Sequence, residues 1–339
     1  MKKRGLLAFF LMVIMAASLG LLAACGQSSG SAQSKDSMDV QSEPEMSEEP
    51  IVLETEPFYV LVVGSDSREG TIAKKGQYAD GKGRSDTIVL VRVDPTNYKL
   101  TFVSVPRDTT IELDGQSQKI NESFHQGGIE ALKKEIKKLT GVNPDHYLIT
   151  TFVNFQKIID EMGGIKVNVP IYESMQDIVS GEMIEFDAGE QTLNGAQALV
   201  FARDRHSYDW SGNADPYRQT NDRYLLRTMI EQILAHPKTA GDMAFALYPF
   251  IETDFSDREL AAYVEDFAEH AKELSTESYT GPYAGEFDVE TELWLAYREE
   301  EVWRQVMEAI ENGEDASEIV PVMTALDFGS DDEGDNEAE

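Results

Sequence analysis

Cysteine is almost absent from this sequence of 339 residues, in which Cys25 is the only one. A single cysteine cannot form an intramolecular disulfide, so the folded part must be stable through its core and its hydrogen bonds. The five histidines are scattered, and no group of histidine or cysteine has the spacing of a zinc site. Neither a disulfide framework nor a zinc centre therefore organises the fold.

Basic residues are also scarce. Lysine and arginine together number 29 against 62 aspartates and glutamates, which gives a formal net charge of -33. Because phosphate backbones are bound by basic surfaces, this charge argues against a DNA-binding regulator, and we expect no nucleic-acid partner. An anionic ligand would need clustered arginines or a metal ion to compensate its charge.

The N-terminus contains a long apolar run. Three basic residues precede an apolar stretch over residues 6–24, which ends in LAAC with glycine after Cys25. This pattern predicts a secretory signal over residues 1–24, and LAAC-Gly resembles the bacterial lipobox, in which the cysteine is acylated. We therefore predict lipidation at Cys25 and a lipid anchor on the extracytoplasmic face of the cell membrane. An ordinary signal peptide and a retained transmembrane anchor are the alternatives.

Composition divides the rest of the chain into three parts. Residues 25–55 are rich in Ser, Gln, Glu and Met, which predicts a flexible acidic tether. Residues 56–312 contain the apolar patterns of a folded domain. From residue 313 to 339 the sequence is acidic and contains glycine, which predicts a disordered tail.

The folded part alternates between strand and helix patterns. Runs of apolar and β-branched residues predict strands over residues 58–63, 87–93, 100–105, 147–150 and 165–169. Apolar spacing and end signals predict helices over residues 129–139, 154–162 with Asn154 as N-cap, 194–205, 215–235, 258–273 and 299–312. This alternation is typical of a layered α/β domain.

Two of the predicted strands, joined by the turn sequence DPTN, form a predicted β-hairpin. Arg84 and Asp86 precede its first strand, and Arg107 and Asp108 follow its second. If the strands pair, these four side chains meet at one edge of the sheet, where they could hold a cation and an anion together. A surface salt-bridge cluster is the alternative.

Further polar residues follow other predicted strands and helices. They are Asp66, Arg68, Arg203, Arg205 and Arg218. Ligand sites in α/β proteins gather at strand ends. Guanidinium groups match phosphate oxygens bidentately, and Mg²⁺ prefers one or two carboxylates together with phosphate oxygens, so the set suits a metal-bound pyrophosphate.

Seven sequence blocks occur in one order over residues 57–312 and resemble the LytR-CpsA-Psr family. They are GSDSR, GRSDTIVLV, SVPRD, KIN, GGI with NVP, QTLNGAQALVFARDR and DPYRQTND. The resemblance implies an α/β/α sandwich with a central mixed β-sheet and a long apolar cavity for a prenyl chain. It also implies an extracytoplasmic, Mg-dependent phosphotransferase, which moves a glycopolymer from an undecaprenyl-pyrophosphate carrier to a peptidoglycan hydroxyl and forms a phosphodiester bond.

The resemblance also implies roles for individual residues. Asp66 and Asp86 are associated with the metal, expected to be Mg²⁺ with Mn²⁺ as the alternative. The residues expected to contact the pyrophosphate are Arg84, Arg107, Arg203, Arg205 and Arg218, to which we add Arg68, Lys119 and Asn221. The predicted catalytic set is Asp66, Arg84, Asp86 and Arg107. We expect Asp108 to orient one of the arginines.

The sequence departs from the family pattern at two places. The family often has Gln four residues after the last arginine, whereas Asp222 stands there after Arg218, so the predicted site omits Asp222. The lipobox replaces the usual transmembrane helix. Two other functions stay open at this point: a polyprenyl-pyrophosphate hydrolase, in which water replaces the acceptor, and a non-catalytic lipoprotein that binds a polyprenyl or anionic glycan ligand.

Overall fold

The computed structural model describes residues 51–67, 69, 71, 83–113, 115–205, 207, 214–289 and 291–320. The predicted signal peptide, Cys25, most of the predicted tether and Arg68 lie outside these residues. Among the helices of the described part, none combines the length and the apolar character that crossing a bilayer requires.

A six-stranded sheet forms the centre of the domain. In spatial order its strands are β11 (Glu252–Thr253), β6 (His146–Thr151), β1 (Phe58–Ser65), β2 (Ser85–Asp94), β3 (Lys99–Ser104) and β12 (Ser275–Thr280). β1 is parallel to β6 and antiparallel to β2, while β3 is antiparallel to β2 and parallel to β12. The sheet is therefore mixed, and the predicted hairpin is β2 and β3.

Short two-stranded sheets and helices surround the central sheet. The strand pairs are β4 (Thr110–Leu113) with β5 (Gln116–Lys119), β7 (Ile165–Val169) with β10 (Gly189–Leu193), β8 (Glu173–Gln176) with β9 (Met183–Phe186), and β13 (Gly285–Asp288) with β14 (Leu293–Ala296). The helices are α1 (Ile120–Thr140), α2 (Phe152–Glu161), α3 (Gly195–Arg203), α4 (Ala214–Leu234), α5 (Ala240–Leu247), α6 (Asp257–Glu269) and α7 (Glu300–Glu311).

Helices cover both faces of the central sheet. Successive side chains of a strand point to opposite faces, so a strand buried on both faces reads as a continuous apolar run, as β1 does. Leu61 of β1 belongs to a core cluster with Leu132 of α1 and Trp303 of α7. On the opposite face, Val91 of β2 packs in a cluster with Phe267 of α6. The fold is thus an α/β/α sandwich around a mixed sheet, as expected.

The helix starts differ from the prediction in two places. α1 begins at Ile120 and contains Gly128 at φ 65°, a conformation that glycine adopts without strain, so the glycine pair kinks the helix where we expected its start. α2 is capped by Thr151, whose side chain accepts a hydrogen bond from the Asn154 amide at 3.3 Å. The predicted N-cap at Asn154 was therefore wrong by three residues.

The folded part extends beyond residue 312. Ala316 and Val320 are buried in the same core cluster as Trp303, and the Tyr279 hydroxyl donates to Asp315 Oδ1 at 3.1 Å. The predicted disordered tail was wrong for residues 313–320, because two small apolar side chains suffice to fasten this segment to α7 and β12. The rest of that tail lies outside the described residues.

The chain is fastened before β1 as well. The Glu54 amide donates to the Tyr263 hydroxyl at 2.9 Å, and the Thr55 carbonyl accepts from Thr96 Oγ1 at 2.8 Å. Thr96 lies in the turn between β2 and β3. The last residues of the predicted tether therefore contact the end of the sheet at which β1 begins.

We predict that a chain ending at residue 312 is less stable than one ending at residue 320. The free energy of unfolding should differ by about 3 kcal/mol, because the shorter chain leaves the core contacts of Ala316 and Val320 unmade. Urea unfolding of the two chains measures the difference. Ile319→Ala in the longer chain is the control, since that side chain is exposed; equal stability of the two chains would contradict the prediction.

Candidate active site

The ends of β1 and β2 bring the first predicted residues together. The Asp66 amide donates to the Arg84 carbonyl at 3.0 Å, and the Arg84 amide donates to Asp66 Oδ1 at 2.6 Å. A Cβ on Gly83 would stand 2.4 Å from the Ser67 amide nitrogen, so only glycine permits this close approach. The glycine of the GRSD block is thus explained by backbone packing.

Arg107, just after β3, holds two carboxylates. Its Nη1 donates to Asp86 Oδ1 at 2.7 Å, and its Nη2 lies 3.0 Å from Asp215 Oδ1. Burial alone would raise the pKa of Asp86, but the charges of Arg107 and Arg218 outweigh it and hold that pKa below its ordinary value. Asp86 is therefore ionised at neutral pH.

Arg218 on α4 is buried and contacts three groups. Its Nε lies 3.1 Å from Asp215 Oδ1, its Nη1 donates to Asp222 Oδ2 at 2.8 Å, and its Nη2 donates to the Asp86 carbonyl at 3.1 Å. Despite burial, Arg218 and then Arg107 keep the pKa of Asp215 well below its usual range. We call Asp86, Arg107, Asp215, Arg218 and Asp222 the buried ion cluster.

Asp222, which the sequence-based site omitted, belongs to this cluster. Its Oδ2 accepts from both Thr87 Oγ1 and Arg218 Nη1, each at 2.8 Å. Burial is the largest influence on this carboxyl group and raises its pKa to about 6, although Arg218 and Thr87 act in the opposite direction. The sequence-based site omitted an aspartate that accepts a hydrogen bond from one of its own arginines, Arg218.

A cavity of about 310 Å³ opens next to the buried ion cluster, between the central sheet and the helices α2 to α6. Four members of the cluster line it, and Arg203 and Arg205 do so as well. The remaining lining is mainly aliphatic and includes Val62, Val89, Leu199, Leu225, Ile233, Leu247, Leu260 and Val264. The predicted arginines of β3, α3 and α4 are thus placed together at the polar part of an otherwise apolar cavity.

Arg203 and Arg205 approach this cavity from the end of α3. The guanidinium of Arg203 lies 5.0 Å from the centre of the Phe152 ring, which is a cation–π distance. Arg205 is exposed. Both arginines therefore lie at the cavity that Arg107 and Arg218 also line.

Other predicted residues lie beside the cavity and are not among its lining residues. Arg84 Nε is 2.8 Å from Glu122 Oε2, and Lys119 Nζ is 2.7 Å from Asp108 Oδ1. The side-chain amide of Asn221 donates to the Phe201 carbonyl at 3.4 Å. We expected Asp108 to orient an arginine, but its ion pair is with Lys119, because the β4–β5 hairpin brings that lysine back to the end of β3.

Arg223 is buried and has a structural place that the sequence did not indicate. It donates to the hydroxyls of Ser104 at 2.6 Å, Ser278 at 2.8 Å and Thr280 at 2.7 Å. Burial lowers its pKa to about 9. These bonds tie α4 to β3 and β12, and so fix the helix that carries three of the five members of the buried ion cluster.

Asp66 and Asp86 could supply two ligands to a magnesium ion, but they do not form a complete cage. Ser65 pairs with Ser85 where the antiparallel strands β1 and β2 meet, so Asp66 and Asp86 lie on either side of this pair. Within the part of the chain that the structure describes, no group of three or more His, Cys, Asp or Glu side chains is placed to hold a metal. Two carboxylates suit a Mg²⁺ ion that takes its other ligands from phosphate oxygens and water.

Sequence spacing could have indicated the two aspartates that we missed. Asp215, Arg218 and Asp222 stand at positions i, i+3 and i+7 of one helix, so the arginine lies between two carboxylates on the same face. We had compared this region with the family pattern, in which Asp222 stands in place of Gln, and had not considered helical spacing. The helical pairing rule would have identified both partners of Arg218.

We predict that Asp222→Asn changes the pH dependence of stability. The folded-state pKa of Asp222 is above its ordinary value, so this group stabilises the fold below pH 4 and loses that contribution as the pH rises through about 6. An amide oxygen can accept both bonds made to Oδ2, so the variant should lack this loss. Relative to wild type, it should gain on the order of 3 kcal/mol between pH 4 and pH 7.

Denaturant unfolding of both proteins over this pH range measures the effect. Asp254→Asn serves as the control, because Asp254 lies at the other end of β6. Parallel stability curves for wild type and Asp222→Asn would refute the assigned pKa shift.

Proteins of Bacillus subtilis and Staphylococcus aureus resemble this chain in sequence. "Polyisoprenyl-teichoic acid–peptidoglycan teichoic acid transferase TagV" of Bacillus subtilis is 29% identical over 236 residues, covering 68% of this chain and 58% of TagV. "Regulatory protein MsrR" of Staphylococcus aureus is 30% identical over 203 residues, covering 58% of this chain and 56% of MsrR. The chain thus spans less than two thirds of the length of these relatives.

Solved structures share the fold. The crystal structure of B. subtilis TagV superposes with a TM-score of 0.62 at 24% identity, over 78% of this chain and 100% of that one. The structure of TagT bound to LIIa-WTA gives a TM-score of 0.58 at 20% identity, over 76% of this chain and 90% of TagT.

The family model of the LytR_cpsA_psr family matches residues 22–308. This range includes every strand of the central sheet and all the described residues of the candidate site. The chain belongs to the LytR_cpsA_psr family.

Proposed function

We propose that this protein is a phosphotransferase that moves a glycopolymer from a polyprenyl-pyrophosphate carrier, undecaprenyl pyrophosphate, to peptidoglycan. One observation carries the proposal: four arginines line the polar part of a cavity whose remaining lining is mainly aliphatic. A polyprenyl pyrophosphate has the same two parts, an anionic head and a long apolar chain. The name of TagV, and the complex of TagT with LIIa-WTA, support a ligand of this class.

The buried ion cluster cannot hold an anion by its own charge. Its three carboxylates outnumber its two guanidinium groups, so the cluster alone has no surplus positive charge. Arg203 and Arg205 each add one positive charge at the cavity. A pyrophosphate carries more negative charge than these two arginines compensate, so we propose that a divalent cation, Mg²⁺ or Mn²⁺, binds with it.

Asp66 and Asp86 are the proposed metal ligands. When bound, such a cation supplies Lewis-acid stabilisation of the charge on the phosphate oxygens. The depressed pKa of Asp86 keeps this carboxylate ionised and makes it a better metal ligand than proton acceptor. We therefore do not assign the general base to Asp86.

The proposed reaction forms one phosphorus–oxygen bond and breaks another. A hydroxyl of the acceptor glycan attacks the phosphorus that carries the glycopolymer, and the bond to the oxygen bridging the two phosphates breaks. Polyprenyl monophosphate leaves, the hydroxyl proton passes to a base or to water, and a phosphodiester joins the two glycans. Arg107 and Arg218, held by Asp215, are fixed before the reaction, so they can stabilise the leaving charge without reorganising.

The proposed location is the extracytoplasmic face of the cell membrane, with the protein anchored through acylated Cys25. The sequence LAAC-Gly supports this, and residues 1–24 would be removed. Mass spectrometry of the protein purified from membranes tests it, since acylation adds the mass of the lipid to a chain that begins at Cys25.

Mass spectrometry of reaction products tests the proposed activity. Purified protein, a lipid-pyrophosphate-linked sugar, peptidoglycan oligomers and Mg²⁺ should give a phosphodiester-linked product that EDTA abolishes. Release of polyprenyl monophosphate without any joined glycan would instead identify a hydrolase. Binding of the lipid without turnover, with or without metal, would identify a non-catalytic lipoprotein.

We predict that Arg107→Lys reduces transfer by about 10²- to 10³-fold while the fold is retained, because lysine keeps the charge but loses the bidentate fork. Arg218→Ala is less informative, since it would leave the buried Asp222 without an arginine and Asp215 with Arg107 alone, and would destabilise the protein as well. Arg304→Lys is the matched control on the exposed face of α7. Equal transfer rates for the Arg107 and Arg304 variants, at equal melting temperature, would exclude the proposed role of Arg107.

A further inference from the structure

The β13–β14 hairpin exposes large apolar side chains. Phe287 is 57% exposed, Trp294 40% and Val289 80%. Monomeric proteins scatter single apolar residues over their surface, but a group of them on one small element marks an interaction site. These three residues therefore need an explanation that packing within the domain does not give.

Phe287 and Trp294 stand directly opposite each other in the register of the two strands. Side chains at opposite positions project from the same face of a sheet, so the two rings form one surface, which we call the aromatic platform. The next pair on that face is Gly285 and Ala296. Ala296 is buried, so the exposed rings begin where this face of the hairpin leaves the domain.

The hairpin is fixed to the candidate site by backbone contacts. The Ala296 amide donates to the Asp108 carbonyl at 2.9 Å, and the Ala296 carbonyl accepts from Thr110 Oγ1 at 2.8 Å. Asp108 directly follows Arg107 of the buried ion cluster. Trp294 of the aromatic platform is therefore two residues along β14 from Ala296, which contacts the residue next to Arg107.

Tyr283, just before β13, supports the same placement. Its phenol lies in the field of the site: burial and then Asp215 and Asp108 raise its pKa. The hairpin thus leaves the domain beside the buried ion cluster at both of its ends.

Charge decides which partner fits the platform. Residues 285–301 contain seven acidic residues and one basic residue. Anionic phospholipid surfaces and anionic polymers attract basic segments, so this acidic surface would repel both. Exposed aromatic rings remain suited to the apolar faces of uncharged sugar rings.

We propose that the aromatic platform of Phe287 and Trp294 binds an uncharged polysaccharide strand. The proposed function enters at one point only: if the protein transfers a glycopolymer, this strand is the glycan of the acceptor, held beside the site where its hydroxyl reacts. The binding itself does not depend on turnover.

Titration with an uncharged β-1,4-linked N-acetylglucosamine hexamer tests the platform. Tryptophan emission should shift on binding in wild type and not in Trp294→Ala, which assigns the shift to Trp294 among the three tryptophans of the sequence. Calorimetry should give about tenfold weaker binding for Phe287→Ala and for Trp294→Ala, the change expected from losing one ring contact. The matched control is Tyr172→Ala, since Tyr172 is 51% exposed and lies outside the hairpin. Circular dichroism confirms that each variant is folded.

Several results would overturn the proposal. They are no hexamer binding by wild type, equal binding by the platform variants, or an emission shift with anionic or zwitterionic vesicles in place of the sugar. Loss of self-association in Trp294→Ala without any sugar binding would also overturn it, because the platform would then join two copies of the chain.

The transfer assay separates this proposal from the proposed function. Hexamer binding that depends on Trp294, in a protein without transfer activity, supports the platform and contradicts the phosphotransferase. Transfer that continues unchanged in both platform variants, with an unchanged KM for the acceptor, supports the phosphotransferase and contradicts the assignment of the bound strand as the acceptor; whether the platform binds a glycan is decided by the hexamer titration.

Discussion

The site depends on two guanidinium groups shared among three carboxylates at one end of the sheet. Arg107 and Arg218 both contact Asp215. Arg107 also contacts the side chain of Asp86, and Arg218 contacts the backbone carbonyl of Asp86. Buried charges are tolerated only when they are paired and hydrogen-bonded, so these contacts decide where β2, β3 and α4 can lie relative to each other. The same pairing leaves the cluster short of positive charge. The pairing of the buried charges therefore both positions these elements and makes a cation necessary when an anion binds.

Much of the fold followed from the sequence because it rests on local signals. Alternating and continuous apolar runs predicted β1, β2, β3, β6 and β7, and glycine and capping residues gave most ends of the helices that were predicted, whereas α5 was not predicted. The β4–β5 hairpin gave no such signal, since Gln116–Lys119 contains no apolar residue. Missing it had a consequence at the site: the contact between Lys119 and Asp108 could not be foreseen, and Asp108 was given the wrong partner.

The site itself was predictable where residues follow strands, and less so where helices supply them. The ends of a hairpin are fixed by its turn, so Asp86 and Arg107 were correctly placed together. On α4, an acidic residue can be either exposed to solvent or paired with Arg218. The two cases are distinguished only when the buried face of the helix is known. For this reason the contacts of Asp222 were not predicted: comparison with a family pattern recorded a mismatch and could not show that this aspartate is buried and accepts hydrogen bonds there.

β1 separates the place where the chain enters the domain from the place where Asp66 lies. Its eight residues span roughly 25 Å at about 3.3 Å per residue. The contacts of Glu54 and Thr55 hold the entering chain at the far end. The entering segment therefore contacts the end of the sheet opposite to the candidate site, so a label on Glu54 or Thr55 would lie about the length of β1 away from Asp66.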